Sequence, residues 1–152
     1  MGDERKLTEL NGVKIQPLKY IPDDRGFVKH MVRRDSPLFD KFGEIYFSFT
    51  KYQVVKAWKV HTKFSQLISV PIGELKLVLY DARNASPSFG RLAEAKLCQE
   101  NYCLVKIPPG VIYGFQSLTE TGTLIASFLD EPHDPKESGL ISPDSNEVPY
   151  QW

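Results

Sequence analysis

The segment KAWKVH at residues 56–61 contains two side chains that could transfer protons. If the segment is a strand, Lys59 and His61 share one face and Lys56 points to the other, because side chains alternate along a strand. An imidazole with a pKa of about 6.5 accepts a proton near neutral pH, whereas a lysine near 10.4 must first be desolvated or crowded by positive charge. We therefore favour His61 as the general base and Lys59 as a cation that stabilises a developing anion, and the reverse assignment stays open.

Strands rather than helices must position these residues. Short runs rich in β-branched, aromatic or alternating residues recur along the chain, separated by Gly and Pro turns. Such a pattern predicts an all-β sandwich or barrel, and a jelly roll among these leaves a cavity between its sheets for a small ligand. The tail at 131–152, rich in Pro, Asp and Ser, is predicted to be irregular and to wrap back along the barrel. The predicted strands are 45–50, 54–61, 66–72, 74–80, 94–97, 103–107 and 123–129.

Composition and charge exclude several classes of protein. The chain has 152 residues, of which 41% are hydrophobic, so we expect one sizeable core and a single domain over 1–152. Lys plus Arg and Asp plus Glu each number 19, which leaves no basic field to attract nucleic acid or an anionic membrane. No apolar run approaches the roughly 20 residues that span a bilayer, and we expect a cytoplasmic protein. Two cysteines and three histidines make a poor metal site, so we expect no metal and no cofactor.

Three stretches of the sequence occur in an informative order. DRGF lies at 24–27, D-x-R-x-x-S-P-x-F-G at 81–90, and I-P-P-G-x-x-x-G-F at 107–115. Together they resemble the dTDP-4-dehydrorhamnose 3,5-epimerase family of cupins. The resemblance implies a cupin-type jelly roll, or double-stranded β-helix, without metal. It also implies a nucleoside diphosphate sugar as substrate and a homodimer, in which we expect the segment before Asp24 to pair with the partner's sheet.

The reaction implied by this resemblance is epimerisation at C3, C5 or both of a nucleotide-linked 4-keto-6-deoxyhexose, in deoxysugar or surface polysaccharide biosynthesis. A base removes the proton next to the ketone, and an acid returns one from the opposite face. One branch of the family reads K-G-W-H-x-H, which puts Lys59 at the base position. Counting from the preceding strand puts His61 there instead. Asp144 matches the acidic residue that orients the family's histidine.

Five further positions are candidates for substrate binding. Arg25 matches the family's arginine in the first stretch, and a guanidinium suits a diphosphate because it stays charged and binds oxygens in pairs. His30 lies where a ligand-facing polar residue would follow that turn. Gln66 corresponds most nearly to a lysine that holds the enolate, and Lys63 is a possible substitute. Lys56 is the fifth candidate for substrate binding.

The chain departs from the family at the proton donor. The family's tyrosine falls near Ala126 or Ser127, so that hydroxyl is absent, and Tyr113 is the phenol we expect to act instead. Two other functions stay open. The spacing from His61 to Gln66 resembles that of sugar 3,4-ketoisomerases, and the missing tyrosine would also suit a catalytically silent cupin that binds a sugar nucleotide.

Overall fold

The computed structural model describes residues 3–152, and nearly all of its regular structure is antiparallel strand. A 3₁₀ helix at Glu4–Glu9 precedes twelve strands in this described part of the chain. The strands are β1 (Lys14–Pro17), β2 (Tyr20–Asp23), β3 (Gly26–Lys29), β4 (Glu44–Thr50), β5 (Val55–His61), β6 (Gln66–Ile72), β7 (Leu75–Asp81), β8 (Leu92–Leu97), β9 (Cys103–Ile107), β10 (Val111–Ser117), β11 (Thr123–Leu129) and β12 (Ser138–Leu140).

Ten of these strands form two five-stranded sheets, which enclose the core and the cavity. The first sheet has the order β1-β9-β6-β11-β4 and the second the order β12-β5-β10-β7-β8, while β2 and β3 form a separate hairpin. The predicted cupin jelly roll is confirmed, and the seven predicted strands correspond to β4 through β9 and β11. The prediction missed the short strands and β10, because the Pro-Pro-Gly turn of the third stretch concealed the strand that follows it.

The core between the sheets follows from strand alternation. On β7, Leu75, Leu77 and Leu79 are fully buried and point inward, because every second side chain of a strand faces the same way. Ile68 on β6 and Val105 on β9 meet them from the opposite sheet. These apolar residues hold the sheets together, so polar side chains can gather in the remaining space between them.

Short segments near both ends of the chain add strands to the sheets. Lys14–Pro17, within the segment expected to pair with a partner's sheet, pairs with β9 of its own chain, and its pairing with a partner stays a prediction. The tail was expected to be irregular, but Ser138–Leu140 pairs with β5, and Trp58 and Ile141 exchange two backbone hydrogen bonds beside it. The physical reason is the same in both places: an edge strand has free N–H and C=O groups that a short neighbouring segment can satisfy.

A polar cluster closes the connection between β7 and β8. The carboxylate of Asp81 is fully buried and accepts hydrogen bonds from Nε and Nη2 of Arg83, each at 2.8 Å. The hydroxyls of Ser86 and Ser88 also donate to it. Burial by itself would raise the pKa of Asp81, but these hydrogen bonds outweigh it and lower the pKa well below its ordinary value. We call these four residues the Asp81 cluster.

The Pro-Pro-Gly turn of the third stretch joins this cluster to β5. The N–H of Gly110 donates to the carbonyl of His61 at 2.7 Å. Gly110 has φ +84, and a Cβ there would lie 2.6 Å from Cγ of Arg83. Glycine is therefore required at this position both by the backbone conformation and by the approach of Arg83.

Candidate active site

A cavity of about 260 Å³ lies between the two sheets and takes side chains from both. One wall belongs to the sheet that contains β5, β10 and β12, and the other to the sheet that contains β4, β6 and β11. The lining is therefore assembled from strands far apart in sequence. The first wall contributes Lys56, Ala57, Trp58, Lys59, Tyr113, Phe115 and Leu140, and the second contributes Tyr46, Ser48, Gln66 and Ser127.

Both lysines of the KAWKVH segment reach the cavity, which corrects the prediction from simple alternation. Tyr113 pairs with Lys59, yet Phe115, two residues on, pairs with Lys56, three residues back. This register shift is a β-bulge, and the extra residue brings Lys56 onto the face of Lys59. Its Nζ donates to Oγ of Ser48 at 3.0 Å and to a backbone carbonyl of β4 at 2.9 Å.

The buried side chain of His61 is held by a carboxylate. Its Nδ1 lies 2.8 Å from Oε2 of Glu137, and both residues are almost completely buried. The other carboxylate oxygen accepts the backbone N–H groups of Lys63 and Phe64 at 2.9 and 3.1 Å. Burial alone would raise the pKa of Glu137, but these three hydrogen bonds together lower it below its ordinary value. Glu137 is therefore an anion that fixes the orientation of the imidazole.

The predicted orienting role of Asp144 is wrong, because Glu137 occupies that position. Asp144 is exposed and lies in a different open cavity of about 830 Å³, which the C-terminal tail forms. The sequence offered no signal for Glu137, since the residues just before it in the tail are exposed and its burial depends on the pairing of β12 with β5.

The second ring nitrogen of His61 connects to the opposite wall. Nε2 lies 3.1 Å from Oε1 of Gln66, whose Nε2 lies 3.1 Å from Oγ of Ser127 and 3.4 Å from the hydroxyl of Tyr46. A half-turn of the amide exchanges its donor and acceptor, so its orientation and the protonation of the imidazole are coupled. The imidazole also stacks on Tyr113, with ring centroids 6.3 Å apart.

Tyr113 and Tyr46 differ in their surroundings. Tyr113 is only 4% exposed, whereas Tyr46 is half-buried. Burial, with a further contribution from Tyr46, raises the pKa of Tyr113 well above its ordinary value. Tyr46 was not predicted as a site residue, because an aromatic residue in a strand gives no sign of the face it will occupy.

The remaining predicted site residues lie outside the lining of this cavity. Arg25 is exposed at the tip of the β2–β3 hairpin, where its Nη2 pairs with Asp23 at 2.6 Å. His30 follows that hairpin, and its carbonyl accepts the hydroxyl of Tyr102. Lys63 contributes its backbone N–H to Glu137, while its side chain is exposed. Four of the nine predicted residues thus line the cavity, and His61 lies directly behind Gln66.

Two other structural features are absent from the described residues. Among residues 3–152, no group of three or more His, Cys, Asp or Glu side chains is placed to hold a metal ion. Within the same range, no helix is long and apolar enough to cross a membrane.

The chain is similar to known proteins over most of its length. The family model described as dTDP-4-dehydrorhamnose 3,5-epimerase matches residues 7–152. The spore coat polysaccharide biosynthesis protein SpsL of Bacillus subtilis is 33% identical over 141 residues, which cover 93% of this chain and 90% of that protein.

Solved structures agree with this match. A dTDP sugar isomerase from Desulfovibrio desulfuricans has a TM-score of 0.92 and 44% identity, covering 94% of this chain and 92% of that one. A dTDP-6-deoxy-D-glucose-3,5-epimerase from Legionella pneumophila, in complex with dTDP-4-keto-L-rhamnose, has a TM-score of 0.81 and 25% identity, covering 95% and 80%. The chain therefore belongs to the dTDP-4-dehydrorhamnose 3,5-epimerase family, a family of isomerases that act on carbohydrates.

Proposed function

We propose that this protein epimerises a nucleoside-diphosphate 4-keto-6-deoxyhexose at C3, C5 or both, in deoxysugar or surface polysaccharide biosynthesis. The observation that carries the proposal is the cavity between the sheets. Lys59 lines one side of it, the hydroxyl groups of Tyr46, Ser48 and Ser127 line the other, and the His61–Glu137 pair lies directly behind Gln66. The ligand of the Legionella pneumophila enzyme, a nucleotide-linked 4-keto sugar, supports this class of substrate.

His61 is the proposed base. Glu137 holds the Nδ1 proton, which leaves Nε2 to accept the proton from the carbon next to the ketone once the substrate displaces the amide of Gln66. Lys59 reaches the same cavity and places positive charge beside the ketone oxygen, where the enolate develops. The negative charge of Glu137 stabilises the imidazolium that forms when His61 takes up the proton.

The size of the cavity supports binding of the sugar rather than the whole substrate. A volume of about 260 Å³ is below the roughly 300–1,000 Å³ typical of sites that enclose an entire drug-sized ligand. The nucleoside diphosphate therefore lies outside, where a charged surface residue such as Arg25 could hold it. Arg25 is exposed at the tip of its hairpin and lies outside the lining of its own cavity. Its proposed role is to hold the diphosphate at the cavity of a second subunit, which requires an oligomer.

A homodimer would satisfy that requirement. Strand β4 is at the edge of its sheet, and its outward side chains Ile45, Phe47 and Phe49 are 48%, 67% and 55% exposed. An edge strand with an apolar outer face is a suitable surface for a second copy of the chain. Light scattering at micromolar concentration should give twice the mass of one chain, 17.3 kDa. A single-chain mass would contradict both the dimer and the role of Arg25 across it.

Proton exchange tests the proposed reaction. We would incubate the protein with several nucleoside-diphosphate 4-keto-6-deoxyhexoses in deuterated water and follow each by NMR. Deuterium at C3 or C5 with inversion is the expected result. A carbonyl that moves to another carbon would instead indicate a ketoisomerase, and no exchange with retained binding would indicate a silent sugar-nucleotide-binding cupin.

The predicted cytoplasmic location is a separate proposal, which cell fractionation would test.

A further inference from the structure

We propose that Tyr46 is the catalytic acid that delivers the second proton. This assignment rests on the proposed function, because only an epimerase needs a proton donor on the face opposite its base. The site offers two phenols, Tyr46 and Tyr113, and their places in the two sheets distinguish them.

Inversion requires that a proton leave one face of the carbon and another arrive on the opposite face. Lys59 and His61 lie on β5, and Tyr113 is the direct cross-strand partner of Lys59 on β10. All three therefore project from the same wall of the cavity. Tyr113 would approach the substrate from the side of the base, and a proton that it delivered would restore the original configuration.

Tyr46 projects from the opposite wall. It lies on β4 of the other sheet, and its aromatic ring faces Lys59, with Nζ 5.9 Å from the ring centroid. A sugar ring between the walls would have the β5 side chains on one face and the Tyr46 phenol on the other.

Neighbouring polar groups position the Tyr46 hydroxyl. Ser127 is the direct cross-strand partner of Tyr46, so both side chains point into the cavity. The amide nitrogen of Gln66 lies 3.4 Å from the Tyr46 hydroxyl and 3.1 Å from that of Ser127. Tyr46 is half-buried, so water can return a proton to it after each turnover, whereas Tyr113 is enclosed.

The protons balance over one cycle. The base takes the proton from the carbon next to the ketone, and the C–H electrons form an enolate whose negative charge rests on the ketone oxygen. The enolate carbon then takes the phenolic proton of Tyr46 on the opposite face, and the enolate electrons form the new C–H bond. Water returns a proton to the phenolate and accepts the proton from the base, which restores both groups.

The test compares Tyr46→Phe with Tyr113→Phe in deuterated water, measuring exchange and inversion separately. We expect Tyr46→Phe to retain exchange, because the base can still return deuterium to the same face, while inversion falls by roughly 10²–10⁴-fold. Tyr113→Phe should change exchange and inversion by the same factor, because it alters the packing of His61 and leaves the acid intact. Tyr52→Phe, a matched change at an exposed tyrosine, controls for the substitution itself.

Different results overturn the two proposals. If Tyr46→Phe inverts the substrate at the parent rate, or if only Tyr113→Phe separates inversion from exchange, Tyr46 is not the acid. If Tyr46→Phe loses exchange and inversion equally while nucleoside diphosphate binding and melting temperature are unchanged, it does not act on the second proton alone and the assignment fails. If the parent protein exchanges no proton with any substrate tested, the proposed function itself has failed.

Discussion

The Asp81 cluster and the cavity use polar side chains in opposite ways. In the cluster, Asp81 is saturated by Arg83 and two serine hydroxyls, all within eight positions of one another. In the cavity, His61 and Gln66 form a chain of contacts between two sheets, and its far end meets two hydroxyls on an open space. The Asp81 cluster forms its hydrogen bonds without a ligand. In the cavity, the hydroxyls of Tyr46 and Ser127 at the end of the chain of contacts remain accessible to one.

This difference separates residues of the family stretches from those to which the proposed mechanism gives roles. The stretch at 81–90 is one of the three that together resemble the family, and its polar residues hold a turn together. The segment at 56–61, where the alignment was ambiguous, supplies the base and the cation of the proposed mechanism.

The largest effect on rate is expected from replacing the proposed base and cation of the site. His61→Asn should reduce exchange of the substrate's α-proton by roughly 10²–10⁴-fold, because the imidazole that accepts the proton is removed. Lys59→Met should slow exchange and inversion together without abolishing them, since it destabilises their shared enolate. NMR in deuterated water measures both rates. Circular dichroism and nucleoside diphosphate binding control for folding.

The reverse outcome would reassign the two residues. If His61→Asn exchanges at the parent rate while Lys59→Met does not, lysine is the base. Glu137→Gln gives an independent check, because it keeps the imidazole and removes only the charge that orients it. We expect an intermediate rate for this variant.

The Asp81 cluster should respond in stability rather than in rate. Asp81→Asn should lower the free energy of unfolding by about 3 kcal/mol, because Arg83 loses its buried partner. The pKa of Asp81 is lowered in the folded protein, so its contribution is present at neutral pH and is lost as the pH falls below about 3.9 toward the folded-state pKa. Urea unfolding should therefore show the parent and the variant converging on acidification. A variant with parent stability but lower kcat would place Asp81 in the reaction instead.

Arg25 shares a feature with each region, because it belongs to a family stretch yet is exposed like a binding residue. Arg25→Ala should weaken nucleoside diphosphate binding by about tenfold to a hundredfold, while the fold stays intact. Isothermal calorimetry measures the affinity, and Arg33→Ala is a matched control, since Arg33 is also an exposed arginine paired with an aspartate two residues away. If Arg25→Ala binds as tightly as the parent, its stretch has only a structural role, as the Asp81 cluster does.

The sequence predicted what depends on local order. Alternating residues and turns revealed most strands, and strand alternation correctly placed Lys59 and His61 as neighbours. Glu137 escaped prediction because it meets His61 across 76 positions of sequence, through a tail strand too short to detect. Lys56 was placed on the wrong face because a bulge adds one residue to β5, and no local signal marked it. Tyr46 required the register between β4 and β11, which depends on how the whole sheet is assembled.

Gly110 has an evolutionary consequence. The N–H of Gly110 donates to the carbonyl of residue 61, and Arg83 occupies the space that a Cβ at residue 110 would need. The backbone at the end of β5 is thereby held in place through contacts that do not involve the side chain of residue 61. We therefore expect relatives with this fold to exchange histidine, lysine or other groups along β5 without rebuilding the barrel. We expect such lineages to diversify in the sugars they accept sooner than in the turn that supports them.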